Sequence, residues 1–397
     1  MGRLTPRRVA YVLEAPYPAF AVTEVLALRH RGVHVTVLNS FRPFPQGDPE
    51  ADALQSESFY FPTGYRGVLL ATMKTAVLHP YAFSRALAAV CRHRLPVQLL
   101  LLSAHYARLL RMQGVRHVHG MYGTTPATVA LLVSWMSGLP FSFTCHSYEI
   151  LLPNPLLTWK ARTARFLTTI SDFNRDFICT TYPGIPDSKV RVVRLGVDLD
   201  QWQAPAAEGE PPLVLSVASL VPVKGHVHLV RALNRLREWH VDFQALFVGD
   251  GPVRRTIEAE VRRLGLASRV RLVGNVPHRE VADVVRRCSV FVLHGVVDER
   301  GNHDGIPVAL MEAMAAGKAV VSTRVSGIPE LVEHERTGLL VEERDEEALA
   351  SAMRRLLLDR DQREALGKAA RERVSRDYTL DRCASEMERL FFGQPST

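Results

Sequence analysis

The sequence predicts an α/β fold: two doubly wound, Rossmann-like parallel-sheet domains facing one another across a cleft. Three observations predict it. At 397 residues the chain is too long for one ordinary core, so two domains are expected. Short apolar strands alternate with helices along most of the chain. The alternation pauses at DLDQWQAPAAEGEPP (198–212), a Pro-, Ala- and Glu-rich linker, and then restarts. Ligands of such sheets bind at the carboxyl ends of the strands, so the cleft is where a site is expected.

RVAYVLEA (8–15) is an apolar strand, TEVLALRHRG (23–32) a helix stopped by Gly32, and VHVTVLNS (33–40) a second strand. RHVHGMYG (116–123) is a strand running into a loop. TPATVALLVSWMSG (125–138) is a helix with Thr125 as cap, Pro126 in the first turn and Gly138 at the end. FSFTCHSYEI (141–150) is a strand and its exit loop, and FLTTISDFN and VRVVRLGVD close this half. After the linker come the strands PLVLSVASL, FQALFVGDG, RVRLVGNV, SVFVLHGV and KAVVSTRV. Between and after them lie the helices HVHLVRALNRLREW, PVRRTIEAEVRRLG, EVADVVRRC, EEALASAMRRLLLD and DQREALGKAARERVSRDY.

DGIPVALMEAMAAGKAV (304–320) is unlike the other helices. Pro307 is suited to the first helical position and Gly317 to the stop. Apolar residues from Val308 to Ala315 cover every face, so the helix is buried. Glu312 is then a buried carboxylate, which is costly without a partner.

Composition narrows the function. The chain is 47% hydrophobic and 23% charged, as in soluble globular proteins. No window of 18 residues is apolar enough to span a bilayer, and the N-terminus lacks the features of a signal peptide. Five dispersed cysteines without Cys-x-x-Cys suggest a reducing, cytoplasmic compartment, with neither zinc nor disulfides. Of the net +8, residues 1–198 contribute 21 Lys/Arg against 11 Asp/Glu, or +10, and residues 199–397 contribute 28 against 30, or −2. Residues 58–148 hold eight Lys/Arg and no acid, with apolar runs such as GVLLATMKTAVL. Such a stretch suits an anionic membrane face, or is simply a solvated basic surface. No nucleic-acid motif is present, so nucleic acid is not an expected partner.

The candidate site residues have bland readings too. Glu330 in SGIPELV sits at a helix start, where a carboxylate is favourable in any case by about 0.3–1 kcal/mol. Gly249-Asp250-Gly251-Pro252 joins a strand to a helix, as a cap or as a nucleotide turn. Lys224 in LVPVKGH either balances a phosphate or is an exposed lysine. His146 at a strand end is structural or functional. His117 and His119 share a strand face but have no nearby carboxylate, so they make a poor metal site. Asp198-Leu-Asp200 reads as a turn.

In combination and in order, HVHGMYGTTPATVALL, FSFTCHSYEI, ISDFN, RVVRLGVD, VASLVPVKG, VGDGP, VRLVGNV, DGIPVALMEAMAAGKAVVST, GIPELV and TGLLV resemble the retaining family 4 glycosyltransferases of GT-B architecture. The likeness is greatest to bacterial exopolysaccharide transferases of the colanic acid type. It covers most of residues 8–390 and is weakest over about 45–110. The resemblance implies an acceptor-binding domain (1–198), a nucleotide-sugar donor-binding domain (199–376) and a last helix (377–397) crossing back to the first domain.

The resemblance also implies roles. Asp304 faces the donor sugar, and Glu312 accepts hydrogen bonds from the ribose hydroxyls. Amides around Gly305, Ile306, Pro307, Val308 and Leu310 lie near the diphosphate. Lys224 stabilises the departing nucleoside diphosphate, with no metal or other cofactor required. His146 lies near the reacting sugar, Glu330, Ser219 and the 249–251 turn help hold the donor, and the base lies near Arg271–Asn275. The implied partners are a nucleotide-sugar and a saccharide or polyprenyl-diphosphate-linked acceptor, at the inner face of the plasma membrane.

Several positions depart from the family. Asp304 stands where Glu is usual, and Ala218-Ser219 replaces Gly-Arg. The lost arginine leaves Lys224 alone with the diphosphate unless Arg324, Arg300 or His226 substitutes. Met121 replaces a third histidine, and His294-Gly295 replaces Pro-Ser. Two rivals therefore stand beside a transferase: a non-catalytic nucleotide-sugar-binding subunit and a sugar-nucleotide 2-epimerase.

Overall fold

The computed structural model describes residues 7–39, 48–60, 65–202 and 209–393. The central part of the expected linker, 203–208, lies outside them. The chain divides into two compact units. Unit 1 runs to Ile170 and includes Asn174–Arg194 and the chain from Cys383. Unit 2 holds Ser171–Phe173 and Leu195–Arg382. The change of unit thus falls at Arg194/Leu195 and again at Arg382/Cys383, a few residues from the expected 198 and 377.

In chain order, the first elements are β1 (Arg8–Leu13), α1 (Ala19–His30), β2 (His34–Asn39), α2 (Pro49–Ser56), α3 (Tyr65–Leu78), α4 (Pro80–Arg92), α5 (Val97–Gln113), β3 (His117–Gly120) and α6 (Thr125–Ser137). Then come β4 (Phe141–Cys145), α7 (Tyr148–Leu151), α8 (Leu157–Thr163), β5 (Phe166–Thr169), α9 (Asp172–Thr181) and β6 (Val190–Val192). Six parallel strands form one sheet in the order β2-β1-β3-β4-β5-β6. β1, β3, β4 and β5 are buried almost throughout, as parallel strands covered on both faces must be. Two readings shift by local chemistry. The first helix begins at Ala19, behind Pro18, rather than at Thr23, and the cap of α6 is Thr124, one residue before the expected Thr125. Over 45–110, where the resemblance is weakest and no element is assigned from the sequence, four helices begin, α2 to α5.

The later elements are β7 (Leu213–Val217), α10 (His226–Glu238), β8 (Gln244–Val248), α11 (Arg254–Arg263), β9 (Val270–Gly274), α12 (His278–Arg287), β10 (Val290–Leu293) and α13 (Val308–Ala315). They end with β11 (Ala319–Thr323), α14 (Ile328–Leu331), β12 (Leu339–Val341), α15 (Glu346–Leu358), α16 (Arg360–Asp377) and α17 (Leu380–Phe392). The second sheet is also parallel, in the order β12-β11-β10-β7-β8-β9. Counted from β7 as first, this is the Rossmann order 3-2-1-4-5-6. The order reverses between β7 and β10, and such a switch point leaves a crevice at the strands' carboxyl ends.

A polar ladder crosses the first sheet. Ser142 Oγ lies 2.7 Å from His117 Nε2 and 2.8 Å from His119 Nδ1, while His119 Nε2 lies 2.9 Å from Thr144 Oγ1. Phe391 of α17 covers it, with ring centroids 4.9 Å from His117, 5.4 Å from His119 and 5.9 Å from Tyr11. Glu388 pairs with Arg7 and Arg31. Burial, with Arg165 nearby, pulls His117 down to about 3, and burial pulls His119 well below its usual value. Both are neutral, hydrogen-bonded core residues. The five cysteines are free, and no helix of the described residues is long and apolar enough to cross a membrane.

Candidate active site

The loops that leave β7 and β10 meet at the switch point of unit 2. After β7 the chain turns through a short 3₁₀ segment, Pro222–Lys224, into Gly225 and α10. Gly225 has φ +62°, and a Cβ there would collide with the carbonyl oxygen of His294, just beyond β10. Only glycine lets the two loops close on each other. After β10 the chain loops through Asp298, whose Oδ1 accepts from Arg300 N and Asn302 N, both at 2.9 Å. It reaches Asp304 beside Lys224, and Lys224 Nζ donates to Asp304 Oδ2. The two side chains are 16% and 23% exposed, so the ion pair is open to solvent and to a ligand.

Asp304 leads directly into α13. Pro307 is not the first helical residue: with φ −67° and ψ 125° it is extended and serves as N-cap, so the helix starts at Val308. Gly317, at φ +71°, follows the C-cap Ala316 and stops the helix as expected. Leu310 N–H already donates to Pro307 O at 3.1 Å. The amides of Val308 and Ala309, like the first amides of any α-helix, have no acceptor within it. Gly305, Ile306 and Pro307 are buried, and Leu310–Ala315 are buried on all faces. Glu312 is 8% exposed among them.

The second turn lies beside the first. Gly249, at φ +133°, abuts the carbonyl of Ala218 and ends β8, while Ser219 is exposed next to it. Asp250 accepts from Gly251 N at 2.7 Å and pairs with Arg254 at 3.2 Å. Asn275 is exposed just after β9. Glu330 has a use of its own: its carboxylate accepts from the amides of Asp172 at 3.0 Å and Phe173 at 2.8 Å.

Two of the three substitutes for the lost arginine are otherwise accounted for. His226 is 3% exposed, and burial, with Lys224 nearby, pulls it down to about 4. It is neutral. Arg324 pairs with Glu342 at 3.4 Å, and Arg300 is exposed on the loop that leads to Asp304. Lys224 is the cation that the fold brings to Asp304.

His146 belongs to unit 1, just past β4. Its ring packs between Phe20 at 4.6 Å and Tyr122 at 4.9 Å. Its N–H donates to Glu149 Oε1 at 2.9 Å, and its carbonyl accepts from Asn174 Nδ2 at 2.6 Å. Both ring nitrogens are buried without a hydrogen-bond partner among the described residues, and Nδ1 lies 3.6 Å from Glu149. Burial alone would raise the Glu149 carboxyl, but its bonds to His146 outweigh this and hold it below the usual range. Sequence reasoning missed Glu149 and the Phe20–Tyr122 clamp. Asp198 Oδ1 accepts from Asp200 N at 3.0 Å, so Asp-x-Asp is a local turn.

A family model for Glycosyltransferase Family 4 matches residues 20–201, and one for Glycosyl transferases group 1 matches residues 200–373. The two glycosyltransferase models thus follow one another along residues 20–373, each over less than half of the chain. Among curated proteins it is similar to a colanic acid biosynthesis glycosyltransferase of Escherichia coli, 39% identical over 198 residues. That match covers 49% of each chain, so this chain spans about half the length of the curated relative. Two solved structures share the fold. A glycosyltransferase of Rickettsia africae has a TM-score of 0.74 at 17% identity, covering 98% of this chain and 100% of that one. An Anabaena protein solved with UDP and glucose has a TM-score of 0.71 at 16% identity, covering 96% and 98%.

Proposed function

We propose that the protein is a retaining, metal-independent glycosyltransferase of extracellular polysaccharide assembly. It moves a sugar from a nucleotide-sugar to a saccharide or polyprenyl-diphosphate-linked acceptor at the inner, anionic face of the plasma membrane. The observation that carries this reading is the Lys224–Asp304 pair at the β7/β10 switch point, directly ahead of a helix start with open amides and a buried Glu312. The two glycosyltransferase model matches and the likeness to a colanic acid biosynthesis glycosyltransferase support it.

In this reading unit 2 holds the donor. The α13 amides meet the diphosphate, because a helix N-terminus favours anions. Glu312 accepts from the ribose hydroxyls. Lys224 exchanges Asp304 for the diphosphate and stabilises the charge that grows as the sugar–phosphate bond breaks. Asp304, released, faces the sugar hydroxyls. Ser219 and the Gly249–Gly251 turn border the phosphates, and Asn275 the base. Unit 1 holds the acceptor, and His146 is its residue for the reacting sugar. The leaving phosphate takes the acceptor proton on the same face, which retains the anomeric configuration.

The test is a thermal-shift screen over UDP-, GDP-, ADP- and TDP-linked sugars, followed by turnover on saccharide and lipid-linked acceptors. One nucleotide should raise Tm by mass action. The product should keep the donor's anomeric configuration by NMR, and EDTA should leave turnover unchanged. Binding without turnover over every pair would instead identify a nucleotide-sugar-binding subunit, the reading that Ser219 in place of arginine and Asp304 in place of glutamate favour. An epimerised donor formed without acceptor would identify an epimerase.

A further inference from the structure

Helix α3 turns an apolar face to water. Val68, Ala71 and Thr75 are 0–5% exposed and form its inner side. Its outer side carries Leu69 (51%), Leu70 (54%), Met73 (65%), Val77 (77%) and Leu78 (66%). Tyr81, in the first turn of α4, continues the face at 81%. Single exposed apolar residues are ordinary, but five on the outer side of one helix, with only Lys74 exposed among them, mark a contact surface.

We infer that α3 is an in-plane membrane helix, whose apolar face enters the interfacial layer of a bilayer rich in anionic lipid. This deepens the membrane contact proposed above and is independent of the donor assignment. Charge selects the occupant. Residues 58–148 hold eight Lys/Arg and no Asp/Glu, and Lys74, Arg92, Arg94 and Arg108 are exposed on α3, α4 and α5 or beside them. A second copy of this chain would bring like charge against like charge. Anionic headgroups complement both the basic flank and the apolar face. Length excludes a span: 14 residues make a helix of roughly 21 Å, short of the roughly 30 Å hydrocarbon core. An enzyme held this way would meet a lipid-linked acceptor by diffusion in two dimensions.

The experiment is co-sedimentation of the full chain with phosphatidylcholine vesicles, with and without phosphatidylglycerol, at low and high salt. The protein should pellet with the phosphatidylglycerol vesicles, more weakly at high salt and with pure phosphatidylcholine. The Met73→Glu/Val77→Glu variant should partition at least about tenfold less. Its thermal shift with the nucleotide that stabilises the wild type should be unchanged, which separates this inference from the donor reading. Wild type that ignores the anionic vesicles, or a double variant that binds them equally, would overturn it. So would a wild-type dimer in gel filtration that the double substitution dissociates.

Discussion

Lys224 serves two partners, Asp304 in the free protein and the diphosphate in the proposed complex. Lys224→Ala removes one charge from both. In the free protein the pair is in contact and its side chains are 16% and 23% exposed. An open surface pair contributes about 1 kcal/mol or less, whereas at an effective dielectric of 20 unit charges about 4 Å apart attract by about 4 kcal/mol. Partial exposure places this pair nearer the lower figure, so Tm should fall by only a few degrees. In the transition state the loss is larger, because the leaving phosphate gains charge where Lys224 is the cation at hand. Losing one such group costs about 10²–10³ in kcat. Asp304→Asn should separate the two roles: it frees Lys224, so nucleoside diphosphate should bind at least as tightly while kcat falls. Calorimetric titration and initial rates on both variants are the assay. Full turnover and unchanged diphosphate affinity in Lys224→Ala would refute the reasoning.

Three further outcomes are expected. Gly225→Ala places a Cβ against His294 O at φ +62°, so Tm should drop by at least about 2 °C and nucleotide binding should weaken. His146→Ala should lower kcat more than it changes nucleotide affinity, because His146 belongs to unit 1 and the turn proposed to meet the phosphates to unit 2; equal loss of both in paired measurements would contradict this. Acid should destabilise the fold. His117 and His294 sit at about 3 and His226 at about 4 when folded, against roughly 6.5 unfolded. The unfolded chain therefore binds more protons between those values. The stability these groups give is complete above about pH 6.5 and is lost as pH falls toward 4. Tm should be lower at pH 5 than at pH 7, and His117→Gln should flatten that dependence.

Much of the fold was legible because parallel strands and their helices carry strong periodic signals. The turns around Gly225, Gly249 and Gly317 are written in residue types that only such turns need. Residues 45–110 were not legible. There α3 sets Leu69, Leu70, Met73 and Val77 outward, so its apolar residues give no single buried stripe to read. Individual candidate residues were named from the sequence, but their mutual contacts were not. Lys224 and Asp304 are 80 positions apart, and only the strand order that places β7 beside β10 joins them. Glu330 finds its amides 158 positions away. His226 looked like a spare cation because sequence does not show that burial keeps it neutral.

The proposed role on which the donor reading turns is that Glu312, buried in α13, accepts from a nucleotide's ribose. Its most direct test is a titration cycle with the ribonucleoside diphosphate that binds and its 2′- and 3′-deoxy analogues, on wild type and Glu312→Ala. Each bond to the charged carboxylate is worth about 1.5–3 kcal/mol, so losing a hydroxyl that Glu312 holds should weaken wild-type binding by roughly tenfold or more. The variant should bind the ribonucleotide weakly and should not distinguish it from either analogue. If the deoxy analogues lose as much affinity in the variant as in wild type, Glu312 does not hold the ribose.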